Sequence, residues 1–164
     1  MRAVVQRVLE ARVSVDGEVV GQIAHGLLAY VGVRVGDTEA DARKLADKIA
    51  FLRVFADEDG KMNRTVQDVR GGVLAVPNFT LLADARKGRR PAFTDAARPE
   101  VAAPLHEAFV AELARLGCVV ATGRFRTHMA IHSVADGPVN IVLDVPPCAA
   151  PEAPAGDEKE TQAL

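Results

Sequence analysis

The sequence predicts a single α+β domain with a mostly antiparallel, barrel-like sheet and two main helices. Three observations support this class: many short β-rich runs separated by Gly- and Pro-containing turns, only two stretches with apolar residues at helical spacing, and no internal repeat. The chain has 164 residues, of which 49% are apolar, so it is long enough for one domain with a proper core. We expect the helices to cover one face of the sheet.

Three strands are predicted in the first third of the chain. Residues 4–15 are β-rich, and the Asp16-Gly17 pair that follows is a strong signal for a tight hairpin turn, because both residue types tolerate positive φ. The almost wholly apolar run 26–33 predicts a third strand that is buried on both faces.

Two amphipathic helices follow from the 3.6-residue spacing of apolar side chains. Asp37 or Thr38 can cap the first, which should span about residues 38–51. The second has an apolar stripe made of Val101, Leu105, Phe109, Leu113 and Leu116. Pro104 places its start at about residue 100 or 101, because proline is tolerated only where backbone N–H groups lack intrahelical partners. Gly117 should end it.

The remaining strands are predicted at residues 52–55, 73–76, 118–121, 125–134 and 139–145. A polar turn at 57–61 follows the first of these, and Asp136-Gly137-Pro138 forms the turn before the last. The domain should end at residue 147, because residues 148–164 are rich in Ala, Pro and Glu and have too little apolar surface to offset the entropy of ordering. We expect that tail to be disordered.

Composition and charge limit the possible partners. No apolar run reaches the ~20 residues of a membrane span and the start lacks a signal-peptide core, so the default location is the cytoplasm, without a membrane partner. The formal charge is −2, but the tail carries −3, which leaves +1 for the body. A near-neutral body excludes bulk electrostatic DNA binding but permits a local basic site for an RNA end. Cys118 and Cys148 are too far apart for metal-type spacing and are expected to be free thiols.

The strand at 73–76 is interrupted by Pro77-Asn78. Pro77 has no N–H for a sheet ladder, so the backbone amides around Asn78, Phe79 and Thr80 are expected to be unpaired and able to form an oxyanion hole, to which Thr80 adds a hydroxyl. The alternative is an ordinary strand-end turn with Phe79 in the core. Gly137-Pro138 is a second candidate, because Gly admits close backbone approach and X-Pro bonds can be cis.

Other reactive side chains are sparse. Neither serine lies in a nucleophile elbow, and no Walker-type or dinucleotide-binding glycine motif is present. His128 and His132 could form half of a metal site but have no obvious third ligand, so no metal or other cofactor is predicted.

The remaining histidines, His25 and His106, are expected in a turn and on a helix surface, respectively. Asp84 and Asp136 are loop carboxylates. Each could act as a general base, and each could equally be a turn-forming residue.

A cationic stretch follows Asp84. Four cations occupy five positions of a loop marked by Gly88 and Pro91; they are Arg86, Lys87, Arg89 and Arg90. The loop is either simply solvated or contacts phosphate groups.

Several blocks in this order resemble the D-aminoacyl-tRNA deacylase family, formerly called D-tyrosyl-tRNA deacylases. The resemblance covers about 145 positions and is carried by residues 1–8, 71–74, 78–81, 85–91 with Phe93, 123–125, Met129, 136–139 and 143–144.

This resemblance implies a homodimer that hydrolyses the ester between a D-amino acid and the terminal ribose of tRNA. Our functional hypothesis is therefore hydrolysis of D-aminoacyl-tRNA, with glycyl-tRNA as a further candidate substrate. It implies that the backbone around Asn78, Phe79 and Thr80 holds the ester carbonyl, while the 2′-hydroxyl of the tRNA assists water. It also implies that a cis Gly137-Pro138 enters the partner's site to exclude L side chains, held by Arg7. Met129 joins these residues in the substrate-binding set.

Two departures from the family pattern leave alternatives open. Pro77-Asn78 stands where the family normally has Ser-Gln, and Asn140 stands in place of a threonine. A related branch that removes L-alanine from a threonine tRNA also carries Pro at the first position, although Phe79 follows the D-specific pattern. The alternatives are a deacylase for a mischarged L-aminoacyl-tRNA, or a weakened protein that binds the tRNA acceptor end.

Overall fold

A long first strand is the centre of the sheet. The computed structural model describes residues 1–146, so the predicted tail and Cys148 lie outside the described residues. The described elements are β1 (Arg2–Val15), β2 (Glu18–Ile23), β3 (Gly26–Gly32), α1 (Glu39–Ala50), β4 (Phe55–Ala56), β5 (Met62–Arg64), β6 (Gly72–Pro77), a 3-10 turn (Phe79–Leu82), α2 (Pro99–Arg115), β7 (Val119–Thr122) and β8 (Ala130–Asp144). No helix in this part of the chain is long and apolar enough to cross a membrane.

The 14 residues of β1 organise the sheet because they pair on both edges. One edge pairs with β3 and then with β2, and the other pairs with β8, all antiparallel. The order β2-β1-β3-β6-β7 continues through parallel β3–β6 and β6–β7 pairs. β2 approaches β7 so closely that a Cβ on Gly21 would lie 2.4 Å from the Thr122 carbonyl oxygen. The sheet is therefore nearly closed, and the predicted α+β class with a barrel-like sheet is confirmed.

Strand alternation explains why β3 and β6 are apolar throughout. Leu27 and Val73 face the core cluster under the helices, whereas Leu28 and Leu74 face a second cluster on the other side of the sheet. All four side chains are fully buried, each worth roughly 2 kcal/mol of transfer free energy. The prediction of a third strand buried on both faces is confirmed.

The first helix is confirmed almost to the residue. Thr38, not Asp37, is its N-cap, and a capping box joins Thr38 to Asp41. The Asp41 carboxylate accepts from the Thr38 N–H at 2.8 Å. Asp37 instead lies buried 2.6 Å from the amino group of Met1.

The second helix begins at Pro99, one or two residues before the predicted start. Pro99 occupies a first-turn position, where its fixed φ favours helix initiation, and Pro104 lies inside the helix. The assumption that Pro104 must lie in the first turn was wrong, because the helix accommodates this proline beyond its first turn.

The predicted strand at 52–55 is found as β4, which starts only at Phe55 and pairs with β5. The two predicted strands at 125–134 and 139–145 are wrong as separate elements, because β8 is a single strand. β1 offers a continuous partner along its whole length. The register moves from Val8–Ala135 to Gln6–Asn140, so residues 136–139 bulge out opposite Arg7. We call this segment the 136–139 bulge.

Candidate functional site

A cavity of about 860 Å³ opens where β3 and β6 end beside the start of α2. Its wall is mostly apolar and includes the aromatic rings of Phe79, Phe93 and Phe125. Phe79 and Phe93 form an edge-to-face pair with ring centroids 5.1 Å apart. An aromatic cavity of this size can hold a flat organic group together with the atoms attached to it.

The 77–80 loop, which runs from Pro77 to Thr80, forms one rim of this cavity. The Asn78 N–H donates to the carbonyl of Val31 on β3 at 2.8 Å, so this amide is not available. The Asn78 Oδ1 atom accepts from the Thr80 N–H at 3.1 Å and from the Thr80 hydroxyl at 2.5 Å. The expectation of unpaired amides at both Asn78 and Thr80 is therefore wrong.

Phe79 differs from its two neighbours in this loop. Its N–H has no hydrogen-bond partner within residues 1–146, and its side chain is 58% exposed. The alternative expectation, a turn that buries Phe79 in the core, is therefore wrong. Among residues 1–146, the loop therefore presents the Phe79 N–H as a free backbone donor at the cavity rim, whereas the Asn78 N–H is held by β3 and the Thr80 N–H and hydroxyl are held by the side chain of Asn78.

The 136–139 bulge contains the cis peptide bond Gly137-Pro138. Gly137 has φ of 137°, and a Cβ there would lie 2.4 Å from the backbone nitrogen of Val139. Glycine is therefore required at this position. Neither Gly137 nor Pro138 is among the residues that line the cavity of the same chain. The structure thus does not bring the two candidate elements together within one subunit.

Arg7 anchors the bulge from β1. Its Nε lies 2.9 Å from Asp136 Oδ2 as an ion pair, although without hydrogen-bond geometry, and its Nη1 donates to the Val54 carbonyl at 2.5 Å. The Arg7 side chain is only 14% exposed. Arg7 therefore contacts the residue before Gly137 and links the bulge to the segment that precedes β4.

Met129 lines the cavity directly before the start of β8. It packs so close to Gly123 that a Cβ on that glycine would lie 2.7 Å from the Met129 sulfur. Met129 and Phe125 thus reach the same cavity as the 77–80 loop, as expected for parts of one binding site.

The chain returns from the basic loop, residues 86–90, to the edge of the cavity at Phe93. Backbone hydrogen bonds of 2.8 Å in both directions between Asp84 and Ala92 close the base of this loop, directly before Phe93. Arg86 makes a bidentate ion pair with Asp84, at 2.9 and 2.7 Å. The side-chain hydrogen bonds from Arg86 lower the pKa of Asp84 to about 2.

The two loop carboxylates are poor candidates for a general base. Asp84 is held by Arg86, and Asp136 is held by Arg7. A carboxylate with a pKa near 2 has little affinity for a proton at neutral pH, so the turn-forming interpretation suits Asp84 better.

The two candidate metal-binding histidines are separated. His128 precedes β8 and lines the cavity, whereas His132 lies on β8 with its Nε2 atom 3.2 Å from Glu10. In the described part of the chain, no group of three or more His, Cys, Asp or Glu side chains is arranged to hold a metal ion.

His106 was missed by the sequence reasoning, which placed it on the helix surface. It is 6% exposed, lines the cavity, and its Nε2 atom has no hydrogen-bond partner among residues 1–146. Burial lowers the pKa of His106 to about 4, so the ring is neutral at pH 7. The buried stripe of α2 consists of Ala102, His106, Phe109 and Leu113. That heptad-like spacing was the signal that could have found it.

Comparisons with known proteins agree with this architecture. The family model described as D-Tyr-tRNA(Tyr) deacylase matches residues 4–144. A D-aminoacyl-tRNA deacylase from Roseiflexus castenholzii is 58% identical over 144 residues, which cover 88% of this chain and 92% of that protein. A D-aminoacyl-tRNA deacylase from Heliobacterium modesticaldum is 56% identical over 144 residues, covering 88% and 96%.

Two solved structures are also similar. The c-Myc DNA unwinding element binding protein is 36% identical, with a TM-score of 0.85, and the match covers 89% of this chain and 99% of that one. A probable eukaryotic D-amino acid tRNA deacylase is 15% identical, with a TM-score of 0.77 over 88% of this chain and 98% of that one, and supports the fold alone.

Proposed function

Because this chain belongs to the D-Tyr-tRNA(Tyr) deacylase family and is a hydrolase of D-aminoacyl-tRNA, we propose that it cleaves the ester at the rim of the aromatic cavity. Water adds to the ester carbonyl, the bond to the terminal ribose breaks, and the ribose oxygen takes a proton. The products are a free D-amino acid and a tRNA with a free 3′ end. The N–H of Phe79 beside the cavity, which has no hydrogen-bond partner within residues 1–146, carries this placement.

Negative charge develops on the carbonyl oxygen when water attacks. The Phe79 N–H is the donor that can meet this charge without first breaking another hydrogen bond, and one such donor is commonly worth ~3 kcal/mol of barrier. The Thr80 hydroxyl and N–H become additional donors if the substrate displaces Asn78 Oδ1. In this proposal Asn78, Phe79 and Thr80 act through backbone and hydrogen-bonding groups, and the substrate's 2′-hydroxyl assists the water.

Binding of the tRNA end is assigned to the basic loop. Lys87, Arg89 and Arg90 are exposed, and no ion pair is found for them within the described chain. Arg86 is already neutralised by Asp84. The other three cations therefore offer the stronger attraction for phosphate beside the cavity.

We assign selection of chirality to Gly137-Pro138 of a second subunit. In the described chain β8 pairs only with β1, so its other edge is open, and Val134 and Val142 on this strand are 40% and 63% exposed. An open, partly apolar edge strand is a typical surface for pairing with another chain. A homodimer would cover this edge and supply the bulge that the cavity of one subunit lacks. The compartment we propose for this dimer is the cytoplasm.

The side chain of Asn78 favours a second candidate function, in which the site is weakened or altered in specificity. Asn78 stands where the family has Gln, and its Oδ1 occupies both donors of Thr80. Such a protein would bind the tRNA acceptor end with slow turnover, or accept a mischarged L-aminoacyl ester.

A direct comparison of D-Tyr-tRNA and L-Tyr-tRNA separates these functions. We expect the purified dimer to release D-tyrosine and to spare the L ester. Failure to release D-tyrosine under conditions in which the protein is dimeric and binds tRNA would favour the weakened site, and faster cleavage of an L ester would favour altered specificity.

A further inference from the structure

The reaction proposed above leaves His106 without a role. This residue lines the cavity and is 6% exposed, and its buried Nε2 atom lacks a partner within residues 1–146. A buried polar atom without a hydrogen bond costs free energy, so such an atom is retained most readily where a ligand supplies the missing partner.

The imidazole is held in a defined place by its helix. Phe109 and Leu113, one and two turns further along α2, are 0% exposed and fix the helix against the sheet. The ring centroid of His106 lies 6.1 Å from that of Phe109 and 6.5 Å from that of Phe125. The Nε2 atom is therefore a preorganised polar group within aromatic surroundings.

An aromatic cavity whose wall includes a buried imidazole without a hydrogen-bond partner among residues 1–146 suits a planar ring that carries hydrogen-bonding groups at its edge. An aminoacyl-tRNA offers two such rings: the terminal adenine, which is common to all substrates, and the side chain of an aromatic amino acid such as tyrosine. Both lie close to the ester bond. Either ring would replace the missing partner of His106.

We propose that His106 is a substrate-binding residue, whose Nε2 atom hydrogen-bonds the polar edge of a planar substrate ring in this cavity. This inference rests on the proposed function, because it takes the substrate to be aminoacyl-tRNA. A neutral imidazole has one donor and one acceptor, which suits the donors and acceptors of adenine and the hydroxyl of tyrosine. The lowered pKa of His106 keeps it in this neutral form at pH 7.

Two variants test the role. His106→Phe keeps a ring and removes the polar atoms, and His106→Gln keeps a polar group at similar reach. We expect His106→Phe to raise KM by about three- to ten-fold with little change in kcat, because one neutral hydrogen bond is lost. His106→Gln should restore part of this loss. His25→Phe is the matched control, because His25 is an exposed turn residue that contacts the Val69 carbonyl and does not line the cavity.

The choice of substrate separates the two rings. A rise in KM of equal size for D-Tyr-, D-Phe- and D-Ala-tRNA identifies adenine, and a rise confined to D-Tyr-tRNA identifies the phenol. An unchanged KM for all three substrates in folded His106→Phe overturns the proposal. So does an equal loss in His106→Phe and His106→Gln, which would indicate a structural role.

A binding measurement on the wild-type protein remains decisive if the variants fold poorly. The ring-nitrogen NMR signal of His106 should shift when either AMP or D-tyrosinamide is added, and no shift with either at saturating concentration would contradict the proposal. This measurement needs no turnover, so an inactive wild-type enzyme would defeat the proposed function without deciding the role of His106.

Discussion

The 77–80 loop and the 136–139 bulge both interrupt a β-strand, yet they are held in different ways. The loop is fixed by one contact to the neighbouring strand β3, where the Asn78 N–H donates to a backbone carbonyl, and by one local contact, where the Thr80 N–H donates to the Asn78 side chain two residues earlier. The bulge depends on Arg7, which lies on another strand more than 120 residues earlier. The loop also borders a cavity of its own chain, whereas Gly137 and Pro138 do not.

This difference suggests that the loop and the bulge have different functions. A backbone donor that is braced by its own chain beside a cavity of that chain can be complete in one subunit, and it suits the chemical step, which needs donors that are already in place. A bulge on an open sheet edge suits a contact made across subunits, where it can restrict which substrates fit. We therefore expect damage to the loop to reduce the rate, and damage to the bulge to change selectivity.

The largest expected effect comes from removing the Phe79 N–H. Phe79→Pro deletes this donor, and Asn78 already has an extended backbone, φ −146° and ψ 94°, near the conformation that a following proline favours. We expect kcat for D-Tyr-tRNA to fall by about 100- to 1000-fold, the usual cost of one oxyanion donor. Single-turnover hydrolysis measures it.

Phe79→Ala is the matched control for that variant. It removes the ring from its contact with Phe93 but keeps the amide. If the alanine and proline variants lose the same amount of kcat, then the ring and not the N–H is what matters, and the loop's assigned role is wrong.

A smaller effect, of a different kind, is expected from Gly137→Ala. The added Cβ would lie 2.4 Å from the Val139 nitrogen at a φ of 137°, so the bulge must shift. A displacement of about 1 Å in a positioned group can cost ~100-fold. We expect the preference for D-Tyr-tRNA over L-Tyr-tRNA to fall by about 10- to 100-fold, measured as a ratio of kcat/KM values.

Gly17→Ala tests whether strain alone explains that result. Gly17 also has a positive φ, of 84°, but a Cβ there meets nothing within 4 Å. This variant should lose up to about 1 kcal/mol of stability while keeping its selectivity. If the Gly137→Ala enzyme retains its full preference for D-Tyr-tRNA over L-Tyr-tRNA, then the bulge does not select chirality.

The same contrast explains what could be predicted from the sequence. Local signals predicted the hairpin at Asp16-Gly17, the cap at Thr38 and the break at Pro77, because each depends on residues near in the chain. The continuity of β8 was missed because it depends on pairing with β1. No local pattern at residues 136–139 indicates that this pairing resumes after the bulge.

Two features of the candidate site were missed for related reasons. Pro77 correctly indicated a strand end. The Asn78 N–H, however, donates to a carbonyl on β3, and only the folded sheet shows which amide of the loop that carbonyl accepts from. His106 was misplaced because the stripe chosen for α2 contained Val101, which is 49% exposed, and not Ala102. The apolar residues of α2 are numerous enough that two different faces of the helix could be the buried one. The sequence pattern therefore does not decide whether His106 lies on the buried face.

The smallest expected effect concerns the basic loop, to which we assign tRNA binding and not the rate of hydrolysis or the choice of chirality. Arg89→Gln should weaken tRNA binding by a few-fold and reduce the slope of log K against log salt by about 0.7, the contribution of one contact with a single strand. Arg86→Gln is the internal control, because Arg86 is already paired with Asp84 and should contribute less. Binding titrations at several salt concentrations measure both slopes. Equal slopes for the two variants would mean that the Asp84 pair opens when tRNA binds, and an unchanged slope for Arg89→Gln would remove Arg89 from the phosphate contact.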